Sequence, residues 1–171
     1  GGTDSINSSI TNSLTSLSLT AESINLNSNV TTTGTQSYAG SVSLGADATI
    51  AGSAVSFTGT VDGGYALVVN ASGATTFSAA VGGTTPLTSL TTDAGGTVSL
   101  QSVTTTGLQS YGEAATLNGT YTTTNSAFSV AGTTTLGGAT TVTVGIGNVT
   151  FSGAVNGANT LAVNSSAATL F

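Results

Sequence analysis

The segment VSFTGTVDGGYALVVNASGATTF, Val55–Phe77, returns as VTFSGAVNGANTLAVNSSAATLF, Val149–Phe171, with 12 of 23 positions identical and no gap. Two shorter matches recur at another distance. LTSL at Leu14–Leu17 reappears at Leu87–Leu90, and VTTTGTQSY at Val30–Tyr38 reappears as VTTTGLQSY at Val103–Tyr111, both 73 residues on, whereas the long pair is 94 apart. The second copy therefore holds 21 more residues than the first, all between Tyr111 and Val149. A globular core does not take so long an insertion while keeping its pattern on both sides. A solenoid takes it as one added coil.

A shorter period runs beneath the long one. Apolar anchors that follow a β-prone pair fall at Leu26, Leu44, Phe57, Phe77, Leu100, Leu117, Leu136, Phe151 and Phe171, spaced 18, 13, 20, 23, 17, 19, 15 and 20 residues apart. Around them the chain alternates with period two, as in Val42-Ser-Leu44, Val55-Ser-Phe57 and Val142-Thr-Val144-Gly-Ile146. Short Thr- and Val-rich alternation closed by Gly or Asn-Gly reads as strand and tight turn. No window carries a helical period, and Thr, Ser, Asn and Gly are poor helix formers.

These features predict an all-β chain folded as a parallel β-helix with coils of about 18–20 residues. Leu44, Phe57, Phe77, Leu100, Leu117, Leu136, Phe151 and Phe171 are expected to form an inward row, alternating with outward Ser and Thr. Gly45, Gly52, Gly59, Asp62-Gly63-Gly64, Asn118-Gly119, Gly137-Gly138 and Asn156-Gly157 supply the turns. The repeats divide one continuous solenoid into unit 1, residues 1–81, and unit 2, residues 82–171, with one extra coil within about 112–148. A pair of β-sandwich repeats is the competing architecture; the coil-sized insertion and the lack of long strands count against it.

Composition narrows the function classes. The chain has no Lys, Arg, His or Cys, six acidic residues and a formal charge of −6. Nucleic-acid binding requires cations against phosphate, and an anionic membrane surface requires them too, so neither partner is expected. No apolar run reaches membrane-spanning length; Ala66-Leu67-Val68-Val69 is strand-sized. Absence of Cys excludes disulfides and thiolate metal sites. Disorder is disfavoured because only 4% of residues are charged and mean hydropathy is +0.34.

The stretch VTTTGTQSYAGSVSLGADATIAGSAVSFTGTVDG resembles the repeats of large bacterial surface adhesins of the filamentous-haemagglutinin-like type, exported by two-partner secretion or as autotransporter passengers. The resemblance runs from about Leu14 to Phe171 and is strongest at Val30–Phe77 and Val149–Phe171. It implies a right-handed parallel β-helix, an extracellular cell-surface location on a Gram-negative bacterium, and a stalk or fibre role giving length, rigidity and protease resistance.

Asp4, Glu22, Asp47, Asp62, Asp93 and Glu113 are scattered singly, which favours solvated turn acids over a calcium site. The triplets Thr31–Thr33, Thr104–Thr106, Thr122–Thr124 and Thr133–Thr135 begin 73, 18 and 11 residues apart, too irregular for an ice-binding ladder. Sequons at Asn7, Asn29, Asn70, Asn118, Asn148 and Asn164 arise readily in a chain this rich in Asn, Ser and Thr. Tyr38 and Tyr111, in the shared QSY, read as packing or capping within the coil. A glycan-binding face would need Tyr38, Tyr65 or Tyr121 aligned and exposed.

Catalysis is not expected. No His is present for a triad, no Lys or Arg for an oxyanion, and no acids lie close in sequence; Asp47 and Asp62 meet only if coils stack them. No catalytic, cofactor or metal residues are assigned. The expected partners are further coils of the same chain or other copies in a fibre, with a host or neighbouring-cell surface reached through regions outside this segment. The alternative is a carbohydrate- or surface-binding β-helix module, with ice or calcium binding as narrower versions. An inward row left open at Phe171 predicts that another Gly-Gly turn and further coils follow, or that a second subunit covers that end.

Overall fold

A computed structural model describes the backbone of residues 1–171 and the side chains of residues 1–11 and 14–171. The chain is a parallel β-solenoid of about nine turns, with no helix among the described residues. Each full coil has three faces, met in chain order. The first face carries the pairing ladder Asp4, Ile24, Val42, Val61, Val81, Val103, Tyr121, Val142 and Val163. The second carries Ile10, Val30, Ile50, Val69, Thr92, Tyr111, Val130 and Phe151. The third carries Leu17, Gln36, Val55, Thr75, Val98, Ala115, Thr134 and Val155. Coil length is not constant: along the third face the shortest step runs from Val98 to Ala115 and the longest from Thr75 to Val98.

The first and third faces belong to one twelve-stranded sheet and the second is a nine-stranded sheet. The long strands explain this. Leu17–Leu26, Thr35–Leu44, Ala114–Thr123 and Thr134–Gly145 run round the corner from the third face to the first without a break. A register shift at Leu117/Gly119 marks one such bend, and Gly119 there has φ +87°, a conformation costly for any residue with a Cβ. The other strands are short and mostly alternate buried with partly exposed, as in Ala54–Phe57, Ala66–Ala71 and Val103–Thr105, which is what Thr- and Val-rich sequence dictates.

The expected inward row is three rows. Phe57, Leu117 and Leu136 lie on the third face, with Leu117 paired to Leu100 before it and Leu136 after it. Leu44 pairs with Leu26 on the first face, and Phe151 with Val130 on the second. This accounts for the two shortest anchor spacings: from Leu44 to Phe57, and from Leu136 to Phe151, the chain advances two faces instead of a whole coil. Phe171 continues the row of Phe151, its ring stacked on that of Phe151 at 5.4 Å and 12°, and the residue is 76% exposed.

The interior holds three of the four tyrosines and the other four phenylalanines. Tyr38, Phe57 and Phe77 stack ring on ring at 4.9 Å with interplanar angles of 11° and 9°. Further along, Phe128 meets Tyr111, Tyr121 and Phe151 at 5.5–5.7 Å. All but Phe171 of these aromatics are essentially buried, so each coil contributes to one core that runs the length of the rod.

Candidate functional site

Two features stand out when the sequence is wound onto this frame, one inside and one outside. Inside, the two VTTTGxQSY copies build the same corner. Gln36 is 1% exposed, and its Nε2 donates to Val30 O (3.4 Å), Thr32 Oγ1 (3.1 Å) and Ala51 O (2.7 Å), while its Oε1 accepts from the Tyr38 hydroxyl at 2.7 Å. Gln109 repeats the arrangement with Val103 O (3.2 Å), Thr105 Oγ1 (3.3 Å), Thr122 O (2.9 Å) and the Tyr111 hydroxyl (3.2 Å). Thr32 and Thr105 donate to Gly34 O and Gly107 O, closing the turn. Tyr38 and Tyr111 are therefore buried closures and not contact residues. Tyr121 is buried as well, its hydroxyl donating to Leu100 O at 3.2 Å.

The two corners differ in place. Val30 to Tyr38 runs from the second face to the third, whereas Val103 to Tyr111 runs from the first face to the second. The long repeat shows the same slip: Phe57 lies on the third face and Phe151 on the second. Each second copy is thus wound one face earlier than the first. Gly63 and Gly157 make the equivalence concrete. At φ +129° and +121° each passes so close to the coil before it that an added Cβ would lie 2.5 Å from Leu44 O or 2.7 Å from Leu136 O. Gly63 does so beyond the first face, and Gly157 beyond the third.

The Gln network predicts a measurable cost. Gln36→Ala leaves the Tyr38 hydroxyl and the Val30 and Ala51 carbonyls without their buried partner and should destabilise by about 2–3 kcal/mol. Gln109→Ala should cost a similar amount, read as the shift in a urea unfolding midpoint. Equal stability of either variant and the parent would remove the network from the account.

Outside, the third face carries a ladder that the triplets did not reveal. Ser18, Ser37, Ser56, Thr76, Ser99, Thr116 and Thr135 pair in register from coil to coil, so seven successive rungs present a hydroxyl in one column. Two residues earlier on each strand a second column begins, with Thr35 paired to Ala54 and Ala74 to Thr97 to Ala114. Rungs are about 4.8 Å apart and the columns about 6.7 Å apart. A shallow depression of about 270 Å³ lies on this face, between Thr35, Ser37, Ala54, Ser56, Ala74 and Thr76. The column escaped sequence reading because its steps follow coil length and no fixed period; Ser56 to Thr76, Thr76 to Ser99 and Ser99 to Thr116 all differ. Of the triplets, Thr31 sits on the second face, Thr104 and Thr122 pair on the first, and Thr134 and Thr135 lie on the third.

Three of the six acids hold turns together across coils, while Glu22 pairs with the Gly1 amine at 3.7 Å. Asp47 accepts from Ala66 N at 2.8 Å, Asp62 from Thr84 N (2.8 Å) and Thr85 N (3.0 Å), and Asp93 from Ala71 N at 3.2 Å. Asp62 thereby fastens the Gly82–Pro86 excursion that contains the only proline. No group of three or more potential metal ligands occurs among the described residues. Tyr65, 40% exposed, and the buried Tyr38 and Tyr121 do not form an aromatic binding face. No helix among the described residues is long and apolar enough to cross a membrane. No protein-family model, curated protein or solved structure matches the chain.

Proposed function

We propose that this segment is a stiff spacer, a length of stalk or fibre in a large extracellular bacterial adhesin or filament. The observation that supports it is the unbroken pairing of Asp4 through Val163 on the first face, with one core shared by every coil. Such a rod extends by about 4.8 Å per coil, roughly 40 Å over its length. Backbone amides are tied into ladders, and the chain offers no Lys or Arg for trypsin-type cleavage. Both properties suit an exposed spacer. One to four tandem copies placed between a surface anchor and a reporter binding module test this. The reporter's distance from the surface should rise in equal steps of about 40 Å. A distance that levels off, or scatters as for a flexible tether, would reject the spacer reading.

A second reading rests on the hydroxyl column of the third face: adsorption to an ordered neutral surface such as a crystalline polysaccharide or ice. No acid lies in that column, and its repeat is fixed by the sheet. Retained pull-down on insoluble polysaccharide or ice by the parent, lost in Ser56→Lys/Thr116→Lys, would support it.

A further inference from the structure

Glu113 stands apart from the other acids. It lies at the corner between Tyr111 on the second face and Ala115 on the third, and it is 3% exposed. Its Oε2 accepts from the Thr92 hydroxyl at 2.6 Å, while Oε1 has no hydrogen-bond partner among the described residues. Thr92 is itself inward, paired between Val69 of the coil before and Tyr111 of the coil after. The carboxyl thus reaches into the apolar interior. On the coil that follows, Gly132 packs against the Glu113 backbone so closely that a Cβ there would lie 2.5 Å from its main-chain carbonyl carbon.

Nothing in the chain can balance a negative charge at that place, because it contains no Lys, Arg or His. The titratable groups near Glu113 offer no relief. Asp93, one coil before, is a second acid, and Tyr111, the last residue of the strand before the corner, is a buried phenol with Tyr121 beside it. An ionised carboxylate buried without a cation is costly; a neutral acid is not. The fold does not demand an acid here either: in the first VTTTGxQSY copy the matching position is Gly40.

We propose that Glu113 is a proton-operated latch, held as the neutral acid in the folded solenoid and loosening its corner when the proton leaves for solvent. The electrostatics run the same way. Burial pushes the carboxyl above its ordinary 4.5; the Thr92 hydroxyl and the backbone amides of Glu113 and Gly112 pull it down, Asp93 pushes it further up, and burial outweighs the rest. The folded state then keeps the proton to a higher pH than the unfolded chain. Its contribution to stability is complete below pH 4.5 and is lost as pH rises from there through the raised value.

The test follows thermal unfolding against pH for the parent and Glu113→Gln, in buffer with a chelator. The Gln variant keeps the shape and a partner for Thr92 but cannot ionise. The expected result is similar midpoints in acid, with the parent falling progressively below the variant as pH rises past 4.5. A difference that does not change with pH would overturn the latch. A rise in the parent's midpoint on adding calcium in place of the chelator, absent in the variant, would also overturn it and assign a cation instead. A second measurement serves if Glu113→Gln does not fold. The chain has two glutamates, so in Glu22→Gln isotope-labelled glutamate reports Glu113 alone. At pH 4.5, where a free glutamate is half ionised, its infrared band should still be mainly that of a protonated acid and should give way to carboxylate only at higher pH; a carboxylate share of half or more at pH 4.5 would reject the proposal.

Discussion

Phe57→Asp should abolish folding at ambient temperature. Phe57 is fully buried, with Tyr38 stacked on one ring face and Phe77 on the other, each at 4.9 Å. Losing the ring alone costs about 3–5 kcal/mol in a packed core. The aspartate adds a buried carboxylate in a chain that has no cation to pair with it. The two terms together reach or exceed the whole stability of an ordinary domain, about 5–15 kcal/mol. Circular dichroism should show loss of the β signal, whereas Phe57→Leu should retain it with a lowered midpoint. A folded Phe57→Asp protein with unchanged stability would mean that this stack does not hold the coils together.

Removing one whole coil, by contrast, leaves a folded and shorter rod. The register shows where to cut. Ala115 pairs with Thr134, so deleting residues 115–133 brings Thr134 into the place of Ala115. Val98 then meets Thr134 on the third face, and alternation of inward and outward side chains is kept. A cut of residues 114–134, the length of the sequence insertion, instead leaves Glu113 joined to Thr135, two positions out of step with the ladder. The first deletion should unfold cooperatively and measure about 4.8 Å shorter by small-angle scattering. The second should be several kcal/mol less stable, since inner side chains no longer meet their partners. Equal behaviour of the two deletions would contradict the register.

The two repeat distances have the same origin. The shorter one, Val30 to Val103, spans three coils and two faces: Val30 to Thr92 on the second face, then onward to Val103 on the first. The longer one, Val55 to Val149, spans four coils and two faces: Val55 to Thr134 on the third, then onward to Val149 on the second. A corner such as VTTTGxQSY carries its own closure in Gln, Thr and Tyr, so it can be wound at either place. What it needs from its surroundings is one carbonyl of the next coil, Ala51 O for Gln36 and Thr122 O for Gln109. Neighbouring coils offer such carbonyls at every corner.

Strand character, the solenoid and the burial of the anchors Leu44 to Phe151 were legible in the sequence alone, because side-chain alternation and turn chemistry are local properties of the chain. So was the absence of any Lys, Arg or His, which leaves Glu113 without a cationic side chain to pair with. Only the tertiary structure decided that the anchors form three columns, that Ser18 to Thr135 align as a surface ladder, and that Glu113 turns inward while Asp47 and Asp62 cap turns. Those are relations between residues of different coils. Coil length varies along the third face, from the short step between Val98 and Ala115 to the long one between Thr75 and Val98. Each extra residue is absorbed at a corner, so distance along the chain does not fix which face a residue reaches. The hydrogen-bonded register between neighbouring coils does.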